Sequence, residues 1–306
     1  MTAPPAALDR GGLIAATAAY TLWGLLPAFW SLLAPASAAE ILAHRITWTA
    51  VVMAVVLTVV GRWGEVRRIR ARTWLGIAAG GALITVNWAG YIYAVEIGQV
   101  VEASLGYFVS PLVSVALGVV VLGERLPRTQ WFALALAAAA VVVLAVETGH
   151  MPWLALLLAV TFGLYGLVKK TIRVEATAAL TAEGMVLVLP AVVVGVALTA
   201  AGHGTLTGYG TGHVLLLFAA GPVTALPLLL YGVGARRIPL TVVGVLMYIN
   251  PVLQFLWGVF VAHEAMPPAR WAGFALVWAA LVVFTADMLR RSRTPAAPAQ
   301  PVRSTT

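Results

Sequence analysis

The chain has 306 residues, 61% of them hydrophobic and only 10% charged, with a formal net charge of +8 and no cysteine. That composition leaves no sequence for a large soluble domain, and it excludes disulfides, thiolate metal sites and a cysteine nucleophile. The basic residues sit at the ends of apolar stretches, which membrane orientation and anionic lipid headgroups explain better than nucleic acid does.

About ten apolar stretches follow one another, at 11–33, 40–60, 74–95, 100–122, 130–147, 152–168, 180–201, 213–235, 240–261 and 269–289. Each is close to the ~20 residues that cross ~30 Å of hydrocarbon as a helix. The first, behind Arg10 and ahead of Ala34-Pro35-Ala36-Ser37-Ala38, mimics a signal peptide. It is longer than the roughly 7–15 residues of such a segment and reads as a retained helix.

The second stretch opens with Glu40, His44, Arg45 and Trp48. Spacing by four puts Glu40, His44 and Trp48 on one stripe. An ionisable group inside a bilayer costs roughly 2.5–3.5 kcal/mol and needs a reason. A snorkelling Arg45 with Glu40 at the helix N-terminus is one reading, a substrate or ion site the other. The third stretch adds Asn87, Trp88 and Tyr91. Asn87 and Tyr91 share a face, and Asn87 alone reads as interhelical glue.

The fourth stretch carries Glu102, Ser104, Gly106, Tyr107, Ser110 and Pro111, and the ninth carries Tyr248, Asn250, Pro251 and Gln254. A mid-helix proline strains the carbonyl four residues back, here Tyr107 and Met247. Paired breaks at Pro111 and Pro251 point to a central cavity; a kink healed by Ser110 or Asn250 is the plain alternative. Pro27, Pro190, Pro222 and Pro227 interrupt other stretches, and Tyr231 lies in the eighth. Glu124 and Glu264 close the fourth and ninth stretches and read as turn and packing features. Most of the eleven Trp suit interfaces or packing. Residues 292–306 are too polar and Pro-rich to pack and read as a disordered tail.

Seventeen of the nineteen Lys and Arg residues fall in alternate gaps, among them Arg62, Arg70, Arg128, Lys169 and Arg236; only Arg45 and Arg270 belong to the other side. The positive-inside rule then puts both chain ends in the cytoplasm. Shifting the chain by 140 residues aligns Pro111 with Pro251, Gly118 with Gly258, Glu124 with Glu264, Pro127 with Pro267 and Trp131 with Trp271. Tyr91 falls on Tyr231 at the same shift. The expected fold is therefore all-α and polytopic, with ten transmembrane helices in two five-helix halves, 1–149 and 150–291. Five is odd, so the halves are inverted, an arrangement that marks secondary transporters. Duplication without transport is the plain alternative.

No G-x-x-x-x-G-K-[ST] loop is present, so ATP hydrolysis is not expected; H-E-x-x-H and G-x-S-x-G are also missing. No enzyme activity, cofactor or metal is expected.

Several runs together carry a family resemblance. They are Glu40-Ile41-Leu42-Ala43-His44-Arg45-Ile46-Thr47-Trp48, Asn87-Trp88 with Tyr91, and Glu102-Ala103-Ser104-Leu105-Gly106-Tyr107-Phe108. Gly123-Glu124-Arg125-Leu126, Gln130-Trp131, Pro227-Leu228-Leu229-Leu230, Arg236-Arg237 and Tyr248-Ile249 before Pro251 continue them. The chain resembles the RarD-type branch of the EamA group in the drug/metabolite transporter superfamily. The resemblance implies two EamA repeats around a central cavity. Ser110 stands where members often have Asn, and His263-Glu264 replaces their Gly-Glu.

The expectation is a cell-membrane secondary transporter of a small organic solute, drug or metabolite, working by alternating access. Glu40, His44, Arg45, Asn87, Tyr91, Glu102, Tyr107, Tyr231, Tyr248, Asn250 and Gln254 are the candidate cavity residues, with Pro111 and Pro251 as helix breaks. Arg45 or His44 would meet an anionic group, and Glu102 or Glu40 would carry a coupling proton; a counter-substrate is the other form of coupling. A lipid-linked carrier flippase and a non-transporting sensor or scaffold remain rivals. The bilayer is the expected surrounding, nucleic acid is not a partner, and a homodimer stays open.

Overall fold

Inside hydrocarbon every backbone amide must bond within its own segment, so apolar runs of this length become helices. The computed structural model describes residues 9–123, 126–172 and 174–293. Glu124, Arg125, Arg173 and residues 294–306, which hold Arg303 and most of the expected tail, lie outside the described residues. Among the described residues there are thirteen helices and no strand. They are α1 (Arg10–Gly24), α2 (Leu26–Ser31), α3 (Ala38–Val60), α4 (Trp63–Arg67), α5 (Ala71–Glu96), α6 (Val100–Leu122) and α7 (Arg128–Thr148). Then follow α8 (Trp153–Thr171), α9 (Ala176–Ala200), α10 (Gly210–Gly234), α11 (Leu240–Leu246), α12 (Ile249–Phe260) and α13 (Pro268–Arg293).

Among the described residues nine helical segments are long and apolar enough to cross a membrane, α1 with α2 and α11 with α12 each forming one. The sixth stretch becomes α8, whose apolar part, Trp153–Lys169, is shorter than the other nine. Local signals set the ends. Asp9 caps α1 by accepting from the Gly12 amide at 2.7 Å, and Ser37 caps α3 at the Glu40 amide. Gly61, at φ 71°, ends α3 in the left-handed conformation that glycine adopts at little cost.

The prolines act unequally. The chain leaves regular helix at Leu25, two residues before Pro27, and at Met247–Tyr248, ahead of Pro251. By contrast α6 runs unbroken through Pro111. The Ser110 hydroxyl donates to the Tyr107 carbonyl at 2.9 Å, so the oxygen that Pro111 strains is satisfied.

In the packed bundle α6 lies along α8, α7 along α13, and α3 between α9 and α10; α5 rests on α8 and α1 on α10. One apolar core joins α6, α7, α12 and α13 around Phe108, Phe255 and Phe274, with small Ala133, Ala137 and Ala140 letting α7 approach. A second joins α2, α3, α5, α6, α8 and α10 around Trp30, Tyr91 and Leu158. Outward-facing Val59, Leu75, Val120 and Leu189 are at least 70% exposed, an apolar surface suited to lipid.

Two sets of links tie loops together. At one end Glu175 accepts from Arg236 at 2.7 Å and lies 3.5 Å from Arg62, while Gly12 packs against Arg237 and Ile238. At the other, four carboxylates cap amides far away in sequence. Glu96 takes the Ala38 amide at 3.0 Å, Glu40 takes Thr205 at 2.7 Å, and Glu102 takes Leu154 at 3.0 Å. Glu264 takes Val100 at 2.6 Å and Val101 at 3.0 Å, so its carboxylate meets the positive end of the α6 dipole.

Candidate functional site

The second core holds a buried cation. Arg45, two turns into α3, is 2% exposed, and no carboxylate among the described residues pairs with it. Its guanidinium carbon lies 4.0 Å from the centroid of Trp88 on α5 and 5.0 Å from that of Trp30 on α2. Cation–π contacts contribute about 0.5–2 kcal/mol each. They give the charge a polarisable wall but no acceptor, and Nε and Nη1 are buried without a hydrogen bond. The Trp30 indole N–H and the Tyr91 hydroxyl are buried and unbonded as well.

The surroundings are otherwise well satisfied. Tyr107 donates to the Asn87 Oδ1 at 2.9 Å, and the Asn87 amide nitrogen donates to Leu158 O at 2.9 Å and to Thr161 at 3.0 Å. Asn87 thus clamps α5 to α6 and α8. Tyr107 also sets its ring 5.7 Å from Tyr91, and both tyrosines lie within electrostatic reach of Arg45.

Of the sequence-predicted residues, Arg45, Asn87, Tyr91 and Tyr107 come together. Others have partners elsewhere. Glu40 is buried, accepts from both the amide and the hydroxyl of Thr205, and Thr205 in turn meets His213 at 2.7 Å. His44 accepts from the Trp48 indole at 3.2 Å and faces Phe218. Glu102 caps the start of α8. Tyr231 stacks with Tyr20 and Trp23, and Tyr248 packs against the first core. Gln254 donates to Asn250 at 2.7 Å and keeps a buried, unbonded Oε1. Pro111 and Pro251 lie on α6 and α12 as described.

Sequence reading missed several groups. Trp30 flanks Arg45 together with Trp88, which the sequence had marked only beside Asn87; tryptophan is common in membrane helices and carries no signal by itself. Glu183 on α9 is 4% exposed and pairs with Lys169 at 2.6 Å and with the Tyr165 hydroxyl at 3.3 Å. An acid inside the stretch 180–201 was its available signal. No cluster of His, Asp or Glu among the described residues could hold a metal ion.

A pocket of about 150 Å³ opens at the carboxylate-capped end, lined by Gln99, Glu102, His150, Glu264 and Arg270. Burial pushes the Glu264 carboxyl above its ordinary value, and Glu102 adds to this, against the pull of the Val101 and Val100 amides and Arg270. Glu175 at the opposite end shifts downward. Burial there works to raise it, but the Thr177 hydroxyl and amide, with Arg62 and Arg236, outweigh that.

Comparison with known proteins adds the family. Residues 10–146 match the EamA-like transporter family. The chain is 50% identical over 287 residues to Protein RarD of Streptomyces exfoliatus, covering 93% of this chain and 91% of that one. It is 42% identical to the uncharacterized transporter YojE of Bacillus subtilis, covering 93% and 96%. A crystal structure superposes with a TM-score of 0.59 at 20% identity, covering 92% of this chain and 99% of that chain, a likeness of fold alone.

Proposed function

The chain belongs to the RarD-type branch of the EamA-like transporter family, and from that premise we propose a secondary transporter of a small organic solute, working by alternating access between two inverted halves. Membership and the apolar helices make it a multi-pass membrane protein that transports some solute. In the proposed arrangement α8 is the tenth crossing, residues 1–149 and 150–291 are the two repeats, and both termini face the cytoplasm of a cell-membrane protein. The links at the two ends support this. Glu175 gathers the loops after α3, α8 and α10, whereas the four capping carboxylates gather the loops before α3, α6, α8 and α10.

Arg45 carries the reading. A charge buried in a bundle that satisfies Asn87, Glu40 and Glu102 so fully, yet left without a counter-ion, is a poor structural element and a good solute contact. Pro111, Pro251, Tyr231, Tyr248, Asn250 and Gln254 belong to the helices that would move around it. Glu102 or Glu40 is the proposed coupling carboxylate.

Reconstitution into liposomes tests the proposal. A metabolite that stabilises the purified protein should cross the wild-type bilayer without ATP. Arg45→Ala should slow that flux about tenfold or more, the scale of one lost charge-assisted bond. Glu102→Gln should abolish its dependence on a pH gradient. Absence of flux for every stabilising solute would remove the transporter reading.

A further inference from the structure

The unpartnered groups around Arg45 can all donate, and three of the four can only donate. The guanidinium offers Nε and Nη1, Trp30 its indole N–H, and Tyr91 its hydroxyl; all four are buried and none has an acceptor. Carboxylates that might have turned to Arg45 are engaged elsewhere. Glu40, on the same helix, holds Thr205 through both oxygens, and Glu102 holds the Leu154 and Ala155 amides. A ligand completing this set must accept hydrogen bonds from several donors and carry negative charge.

The charge is bounded too. Among the described residues Arg45 is the single buried Lys or Arg; Lys169, Arg62, Arg236 and Arg270 belong to pairs at the helix ends. One cation balances one negative charge. Nε–H and Nη1–H can each donate to a carboxylate oxygen, whereas a phosphate monoester at about −1.5 to −2 would keep an unbalanced charge in a dry place. The walls are the faces of Trp88 and Trp30 and the rings of Tyr91 and Tyr107, which suit an apolar or aromatic body.

We propose that Arg45, with Tyr91 and Trp30, is the carboxylate-binding point of the transport site, and that the solutes carried are small organic monocarboxylates. The assignment rests on the transporter reading of the same site, and the test separates the two.

Thermal unfolding of the purified protein is followed with acetate, benzoate and indole-3-acetate. Controls are acetamide, benzamide and indole-3-acetamide, with phenyl phosphate for the other oxyanion. The acids should raise the unfolding temperature and the amides should not. Arg45→Gln should weaken binding of the effective acid about tenfold or more, while Arg236→Gln should leave it unchanged. Without ligand, Arg45→Gln should unfold close to wild type, because relief of the buried charge offsets the loss of its contacts with the Trp88 and Trp30 rings. Equal shifts for acid and amide, no shift with any acid, a stronger shift with phenyl phosphate, or retained binding in Arg45→Gln would each overturn the assignment. Flux of a neutral or cationic solute that Arg45→Gln leaves intact would overturn it too, with the transporter reading standing. Acid binding that needs Arg45, in liposomes that pass no solute, would leave the site and remove the transporter.

Discussion

At the scale of single residues, two buried polar groups one helix apart have opposite characters. Asn87 bonds through both ends of its amide, to Tyr107, Thr161 and the Leu158 carbonyl, so removing it takes a bond from each and leaves the Tyr107 hydroxyl without its acceptor. Asn87→Ala should lower stability by about 1–2 kcal/mol, read from detergent unfolding. Arg45 strands nothing when removed. Both stood out in the sequence because polar side chains are rare in apolar stretches. Their difference did not, since it lies in which helix comes to meet them: α8 supplies acceptors to Asn87, and α2 and α5 supply only ring faces to Arg45. Glu183 shows the converse. The rule that flagged Arg45 applied to it equally, and its partners Lys169 and Tyr165 sit only 14 and 18 residues upstream.

Helix pairs are decided by the smallest side chains. A Cβ added at Gly106 would stand 2.7 Å from the Ala155 carbonyl oxygen, so α6 and α8 touch backbone to backbone there. Nothing lies within 4 Å of the corresponding point at Gly166 on α8. Gly106→Ala should therefore cost about 1–3 kcal/mol through overpacking, and Gly166→Ala should be neutral or gain up to about 1 kcal/mol from helix propensity. Thermal unfolding of the two variants side by side separates the effects. Proline also depends on its neighbours. Pro111 and Pro251 align in the sequence repeat, yet Ser110 reaches the Tyr107 carbonyl and keeps α6 whole, while helix is lost at Met247–Tyr248 ahead of Pro251. Composition gave the position of each strain; a single hydroxyl decided its outcome.

For the whole molecule, the membrane character was legible because lipid imposes length, apolarity and charge placement on every stretch. The helix α8 fits that pattern least, its apolar part, Trp153–Lys169, being shorter than the rest. The side on which each loop lies is open to direct measurement, and the chain is well suited to it because it has no native cysteine. Single cysteines at Arg70 and Arg236 should react with an impermeant maleimide from one side of the bilayer, and cysteines at Gly98 and His203 from the other. Labelling of Arg70 and Arg236 positions from opposite sides would break the inverted arrangement.

The loop ties at the two ends differ in kind, and that difference sets how each answers to salt. Glu175 binds exposed guanidinium groups, an attraction that dissolved ions screen within about 10 Å at ordinary salt. Glu40, Glu102 and Glu264 instead grip peptide N–H groups at short range inside the fold, where added electrolyte has little purchase. One end of the protein is thereby tied by charges that salt weakens and the other by backbone bonds that it hardly reaches, so ionic strength acts on a single face of the molecule.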